Sequence, residues 1–124
     1  RMRKLDEIHI GLAFVWMLAG LAAILVGDRY YNASLSSAGH TAILTAFPLT
    51  GFAGLTYRFF PRMKQSKAGY PQTGLMQAGL MFWVTGSYVS LIDGNRDIAG
   101  FGTLLTLGGC SLLAWIWWRE RTPI

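Results

Sequence analysis

Residues 8–27 read IHIGLAFVWMLAGLAAILVG, 20 residues without one Asp, Glu, Lys or Arg. At 1.5 Å per residue such a run is ~30 Å long, the thickness of a bilayer's hydrocarbon core. Three further stretches share that character. Residues 39–60 read GHTAILTAFPLTGFAGLTYRFF, with Arg58 near the end. Residues 73–92 read TGLMQAGLMFWVTGSYVSLI, and residues 98–118 read IAGFGTLLTLGGCSLLAWIWW. In lipid only helices and closed barrels satisfy their own backbone, and apolar runs this long are helices. The sequence predicts an all-α fold, an integral membrane four-helix bundle, as a single domain over residues 1–124.

Composition agrees. Hydrophobic residues make up 52 % of the 124 residues and charged residues 14 %, against ~25 % charged in a typical soluble domain. A small soluble domain exposes much of its chain and needs a polar surface that this composition lacks. Disordered chains and disulfide scaffolds are disfavoured too, the latter because Cys110 is the sole cysteine. The net charge of +5 would suggest nucleic acid in a soluble protein. Here the basic residues form short clusters between apolar runs, so lipid is the expected partner and nucleic acid is not.

Those clusters predict sidedness. Arg1, Arg3, Lys4, Arg58, Arg62, Lys64, Lys67, Arg119 and Arg121 fall on one side, and only Arg29 and Arg96 on the other. By the positive-inside rule both termini are cytoplasmic, and the loops 28–38 and 93–97 face outward. Tyr57, Tyr70, Trp115, Trp117 and Trp118 form an inner aromatic belt, and Tyr30, Tyr31 and Tyr88 an outer one. The first stretch reads as a retained span, since no small-residue cleavage site precedes Asp28. Short loops make neighbouring helices antiparallel.

Polar groups within a membrane are the first functional candidates. His40 opens the second stretch, with Leu44 and Phe47 at i+4 and i+7 on roughly its own face. A flat apolar cofactor such as heme b could lie along that face with His40 as axial ligand. Arg29 or Arg96 could then pair with its propionates. The plainer alternative is an interfacial histidine at a helix start. His9, with Asp6 and Glu7 before it, reads as a solvated helix start or, less readily, as a metal site. Pro48 should kink the second helix and free a carbonyl near Leu44. Gly51, Gly54, Gly100, Gly102, Gly108 and Gly109 suggest close helix contacts. Cys110 reads as an inert small apolar residue. No carboxylate occupies any span, and nothing polar marks a path at mid-membrane.

The second stretch resembles a known family. HTAILTAFPLTGFAGLTYRFFP, through His40, Thr41, Gly51, Phe52, Gly54, Tyr57 and Pro61, is similar to a helix in the catalytic subunits of nitric oxide reductases and in heme-copper oxidase subunit I. The next stretch is similar at Phe82, Trp83 and Val84. The resemblance implies that His40 ligates a low-spin heme. It departs from the family in size and histidine content. With four spans and no further candidate ligand, the chain is expected not to be an oxidase or reductase by itself.

The expected function is therefore a small membrane cytochrome b of the bacterial inner membrane. It would transfer single electrons with heme b near the outer face and His40 shared between chains of a homodimer or larger complex. A periplasmic electron carrier or quinol would be its redox partner. The rivals are a cofactor-free structural or assembly subunit of a larger membrane complex, a heme-based gas-binding protein, and a heme carrier.

Overall fold

A computed structural model describes residues 4–120. Arg1, Arg3 and Arg121, part of the sidedness argument, lie outside the described residues. The chain is helical almost throughout. Helix α1 spans Leu5–Arg29, α2 Ala33–Thr41, a π-helical segment Ala42–Ala46, and α3 Phe47–Phe59. A 3₁₀ turn, Pro61–Gln65, leads to α4, Gly69–Asp93, and α5, Asp97–Glu120. The residues joining α2, the π segment and α3 all keep right-handed helical dihedrals. The three pieces therefore form one rod, and the architecture is four helical rods. Helices α1, α4 and α5 are each long and apolar enough to cross a membrane.

The rods form two antiparallel hairpins, α1 with α2–α3 and α4 with α5, joined by the packing of α2 on α4. Glycine sets how closely the rods approach. A Cβ on Gly20 would sit 2.9 Å from the Gly39 carbonyl oxygen, and one on Gly39 would sit 2.7 Å from that of Gly20. In the other hairpin a Cβ on Gly79 or on Gly102 would overlap the backbone of the facing helix. Gly20 and Gly27, Gly79 and Gly86, and Gly102 and Gly109 are each seven residues apart. That spacing puts each pair on one helix face, the small-residue seam that membrane helices use. The expectation from Gly54, Gly102, Gly108 and Gly109 is met. Gly100 faces open space, and Gly51 makes only an ordinary contact with Ala13.

Local chemistry ends each helix. Asp6 and Glu7 in the first turn of α1 and Arg29 in its last complement the helix dipole. The chain turns at Tyr31, which adopts φ 54°. Asn32 then caps α2 by accepting the Leu35 N–H at 3.1 Å. Helix α4 stops at Gly94, whose φ of 76° is left-handed and whose N–H donates to the Ser90 carbonyl.

Two sequence expectations shift here. The second rod starts at Ala33 rather than at 39, because the Asn32 cap and the small residues of ASLSSAG sustain a helix where hydropathy suggests a loop. His40 therefore lies two turns inside the rod. Pro48 produces a π turn rather than a bare kink. Proline lacks the N–H for Leu44 and would collide with that carbonyl in regular α-winding. The π segment, with the Phe47 N–H donating to the Ala42 carbonyl five residues back, accommodates it.

The buried core gathers Leu5, Tyr57, Met63, Met76, Leu80, Leu113 and Ile116 at the end that carries most of the basic residues. Large apolar residues such as Phe14, Leu18, Leu25, Leu104 and Leu107 point outward instead. An outer surface of this kind suits lipid rather than water.

Candidate functional site

The two histidines lie toward opposite ends of the bundle, since His9 is in the first turns of α1 and His40 follows the α1–α2 turn. His40 is exposed. Its Nδ1 lies 2.8 Å from the Ser36 carbonyl oxygen. A carbonyl can only accept, so Nδ1 carries the proton, and Nε2 of the neutral ring keeps its lone pair. Nε2 has no hydrogen-bond partner among the described residues. Fixing one ring nitrogen through a backbone carbonyl is how iron- and zinc-ligating histidines are commonly oriented.

The surroundings differ from the expected flat apolar wall. Leu44 is exposed one turn below His40. Phe47 is half-buried. The π turn inserts about one residue into the winding, which carries Phe47 roughly 100° away from the His40 face. The line of exposed residues instead runs His40, Leu44, Pro48, Phe52. On its other side His40 borders a shallow depression of about 580 Å³ lined by Gly27, Asp28, Tyr31, Asn32 and Ser36. Polar side chains stand among its lining, and the Ser36 hydroxyl donates to Asp28 there at 3.0 Å. Arg29 and Arg96 are both exposed. They lie at this end of the bundle, Arg29 closing α1 and Arg96 between α4 and α5. Beneath His40, the Thr41 and Ser87 hydroxyls bond at 2.8 Å and tie α2 to α4.

His9 is placed otherwise than expected. It is fully buried, not a solvated helix start. Gly54 on the facing rod lets α1 approach closely there, and the His9 ring stacks on Tyr57 at 5.3 Å. His9 Nδ1 donates to the Leu5 carbonyl at 2.9 Å, and Nε2 faces the Thr73 hydroxyl at 3.4 Å. The Tyr57 hydroxyl donates to Gln72 Oε1 at 2.9 Å, and Gln72 Nε2 reaches the Gly109 carbonyl at 3.4 Å. Four rods thus meet in one buried knot. Asp6 pairs with Arg58 at 3.3 Å and Lys64 at 3.5 Å rather than with a metal. Among the described residues no group of three or more His, Cys, Asp or Glu is placed to hold a metal ion.

A second polar contact lies deeper, where none was expected. Trp16 donates its indole N–H to Gln77 Oε1 at 2.9 Å, and Gln77 Nε2 donates to the Thr50 hydroxyl at 3.1 Å. The bond joins α1, α4 and α3 inside the membrane-length part of the bundle. Gln72 and Gln77 were the available signal, as two amides in an otherwise apolar helix. Every buried side-chain polar atom among the described residues has a partner. The knot and the deeper contact are therefore closed structural devices, whereas His40 presents an open donor atom.

The fold and this site define a class: an all-helical protein, with helices built to cross a membrane and a single surface-presented imidazole. No family model, curated protein or solved structure matches the chain.

Proposed function

We propose that the chain is a multi-pass protein of the bacterial inner membrane that binds heme b through His40 and serves in one-electron transfer. The observation that carries this reading is the His40 ring, held by the Ser36 carbonyl with Nε2 directed away from the hydrogen bond. A neutral imidazole so oriented is a ready axial ligand. Both termini would be cytoplasmic, which puts His40, Arg29 and Arg96 near the outer face. Leu44 would lie against the ring face, Phe47 would support the π turn behind it, and the arginines would pair with propionates. Heme bound there would supply one-electron exchange with a periplasmic carrier or a quinol.

One chain offers one such ligand, and His40 lies on an outer face that a second copy could reach. The reading therefore includes a homodimer, or a larger complex, that shares heme between chains. If the second axial position stayed open, the same site would bind a small gas instead of passing electrons.

The rival is a cofactor-free structural or assembly subunit. It draws support from Asp28, Asn32 and Ser36 in the depression beside His40, since hydrogen-bonding groups there are not the dry wall heme favours.

The test is the absorption spectrum of protein purified from heme-supplied cells, oxidised and dithionite-reduced, beside His40→Ala. Sharp reduced α and β bands that vanish in the variant are expected. A colourless protein would overturn the heme reading in favour of the structural one. A carbon monoxide shift of the reduced bands would redirect it from electron transfer to gas binding.

A further inference from the structure

Away from His40, a gap opens between α3 and α5, with Met76 of α4 buried at its floor. The gap is an apolar groove of about 640 Å³, with Leu49, Phe52, Leu55 and Phe59 on one wall and Leu113 and Trp117 on the other. From Leu49 to Phe60 it follows α3 for ~16 Å. The groove is lined by apolar side chains along this length, which suits a flexible hydrocarbon chain.

One end of the groove is closed by Phe60 and Trp117, which meet edge to face at 6.0 Å between ring centres. Two residues beyond them in sequence stand Arg62 and Arg119. Arg119 lies over the Trp115 ring at 4.9 Å, with its chain laid against an aromatic anchor. Lys4, Arg58, Arg62, Lys64, Lys67 and Arg119 share this end of the bundle with Asp6, Glu7 and Glu120. Asp6 is already neutralised by Arg58 and Lys64. The opposite end carries Arg29 and Arg96 against Asp28, Asp93 and Asp97. Only the end where Phe60 and Trp117 meet is net positive. An apolar slot ending among cations complements an amphiphile with an anionic head.

We infer that this groove holds an acyl chain of an anionic phospholipid, with the headgroup among Arg62, Arg119 and the neighbouring lysines. The site is independent of the heme reading, because it lies toward the other end of the bundle.

The test is native mass spectrometry of protein reconstituted in equimolar phosphatidylglycerol and phosphatidylcholine and then delipidated in steps. The wild type should retain one phosphatidylglycerol per chain, at least several-fold over phosphatidylcholine. Ala114→Trp, which fills the groove from α5, should lose retention of both lipids. Arg62→Ala with Arg119→Ala, which changes two exposed residues outside the groove lining, should keep a lipid but lose the preference. Equal retention of both lipids by the wild type overturns the inference. So does retention unchanged in Ala114→Trp, or release of a second protein chain rather than a lipid by that variant.

Discussion

His9 and His40 make the same local bond. In each, Nδ1 meets the carbonyl four residues back, at 2.9 Å and 2.8 Å. Everything beyond that bond differs. His9 is sealed between Tyr57 and Thr73, so its remaining nitrogen is enclosed among three rods. His40 leaves its remaining nitrogen at an outer surface. The sequence places both residues near the ends of apolar stretches and cannot separate them by type. What separates them is the facing residue. Gly54 opposite His9 lets α1 and α3 close over the ring, while nothing crosses the face that His40, Leu44, Pro48 and Phe52 share. One histidine is buried where the rods meet, and the other stands exposed at the surface.

The sharpest way to break this contrast is to open the buried knot. Tyr57→Ala should cost about 3–5 kcal/mol, as for other large aromatic-to-alanine changes in a core. The ring supports His9 from one side, and its hydroxyl holds Gln72. Detergent-solubilised protein titrated with denaturant and followed by circular dichroism would show the loss. A midpoint unchanged from wild type would mean that the knot does not hold the rods. Tyr57→Phe isolates the hydroxyl. It leaves Gln72 Oε1 buried without its donor, which should cost about 1–3 kcal/mol. A cost equal to that of the alanine change would show that the hydrogen bond, not the ring, carries the knot.

Gln77→Leu tests the deeper contact and should cost less, about 0.6–2 kcal/mol, in line with hydrogen bonds between membrane helices. Trp16 loses its acceptor and Thr50 a donor. A blue shift of tryptophan emission should accompany the change, because the Trp16 indole N–H is left in apolar surroundings. If the emission stays fixed, Trp16 is not bonded to Gln77 in the folded protein.

These polar contacts mark where the sequence stopped being informative. Hydropathy was enough to find four helices, because a span needs only length and apolar composition. The glycine seams were legible in part, since seven-residue spacing on one helix implies a close neighbour without naming it. Partners were not legible. Gln72 and Gln77 sit five residues apart on one helix, yet one reaches Tyr57 and the other Trp16, through rods far away in sequence. The π turn shows another limit. Pro48 announces a defect, but whether the helix kinks or inserts a residue depends on packing around Ala42 and Ala46, both buried. That choice moves Phe47 off the His40 face, so the apolar half of the expected site could not be drawn from spacing alone. Arg29 and Arg96 share the His40 end of the bundle because each sits where one helix gives way to the next.

The smallest structural effect belongs to His40→Ala, and it is the most telling of the four. The side chain is exposed, and its single bond runs to a carbonyl that already serves the helix. Stability should therefore change by less than ~0.5 kcal/mol, as at ordinary surface sites. Under the proposed function the same substitution removes the axial ligand and with it the reduced heme bands. A silent change in stability together with a complete loss of colour would separate a ligand from a structural residue, which no change at His9 can do. If His40→Ala instead unfolds the bundle as far as Tyr57→Ala does, the contrast between the two histidines fails. The surface imidazole would then be a packing element, and the heme assignment would lose the observation it rests on.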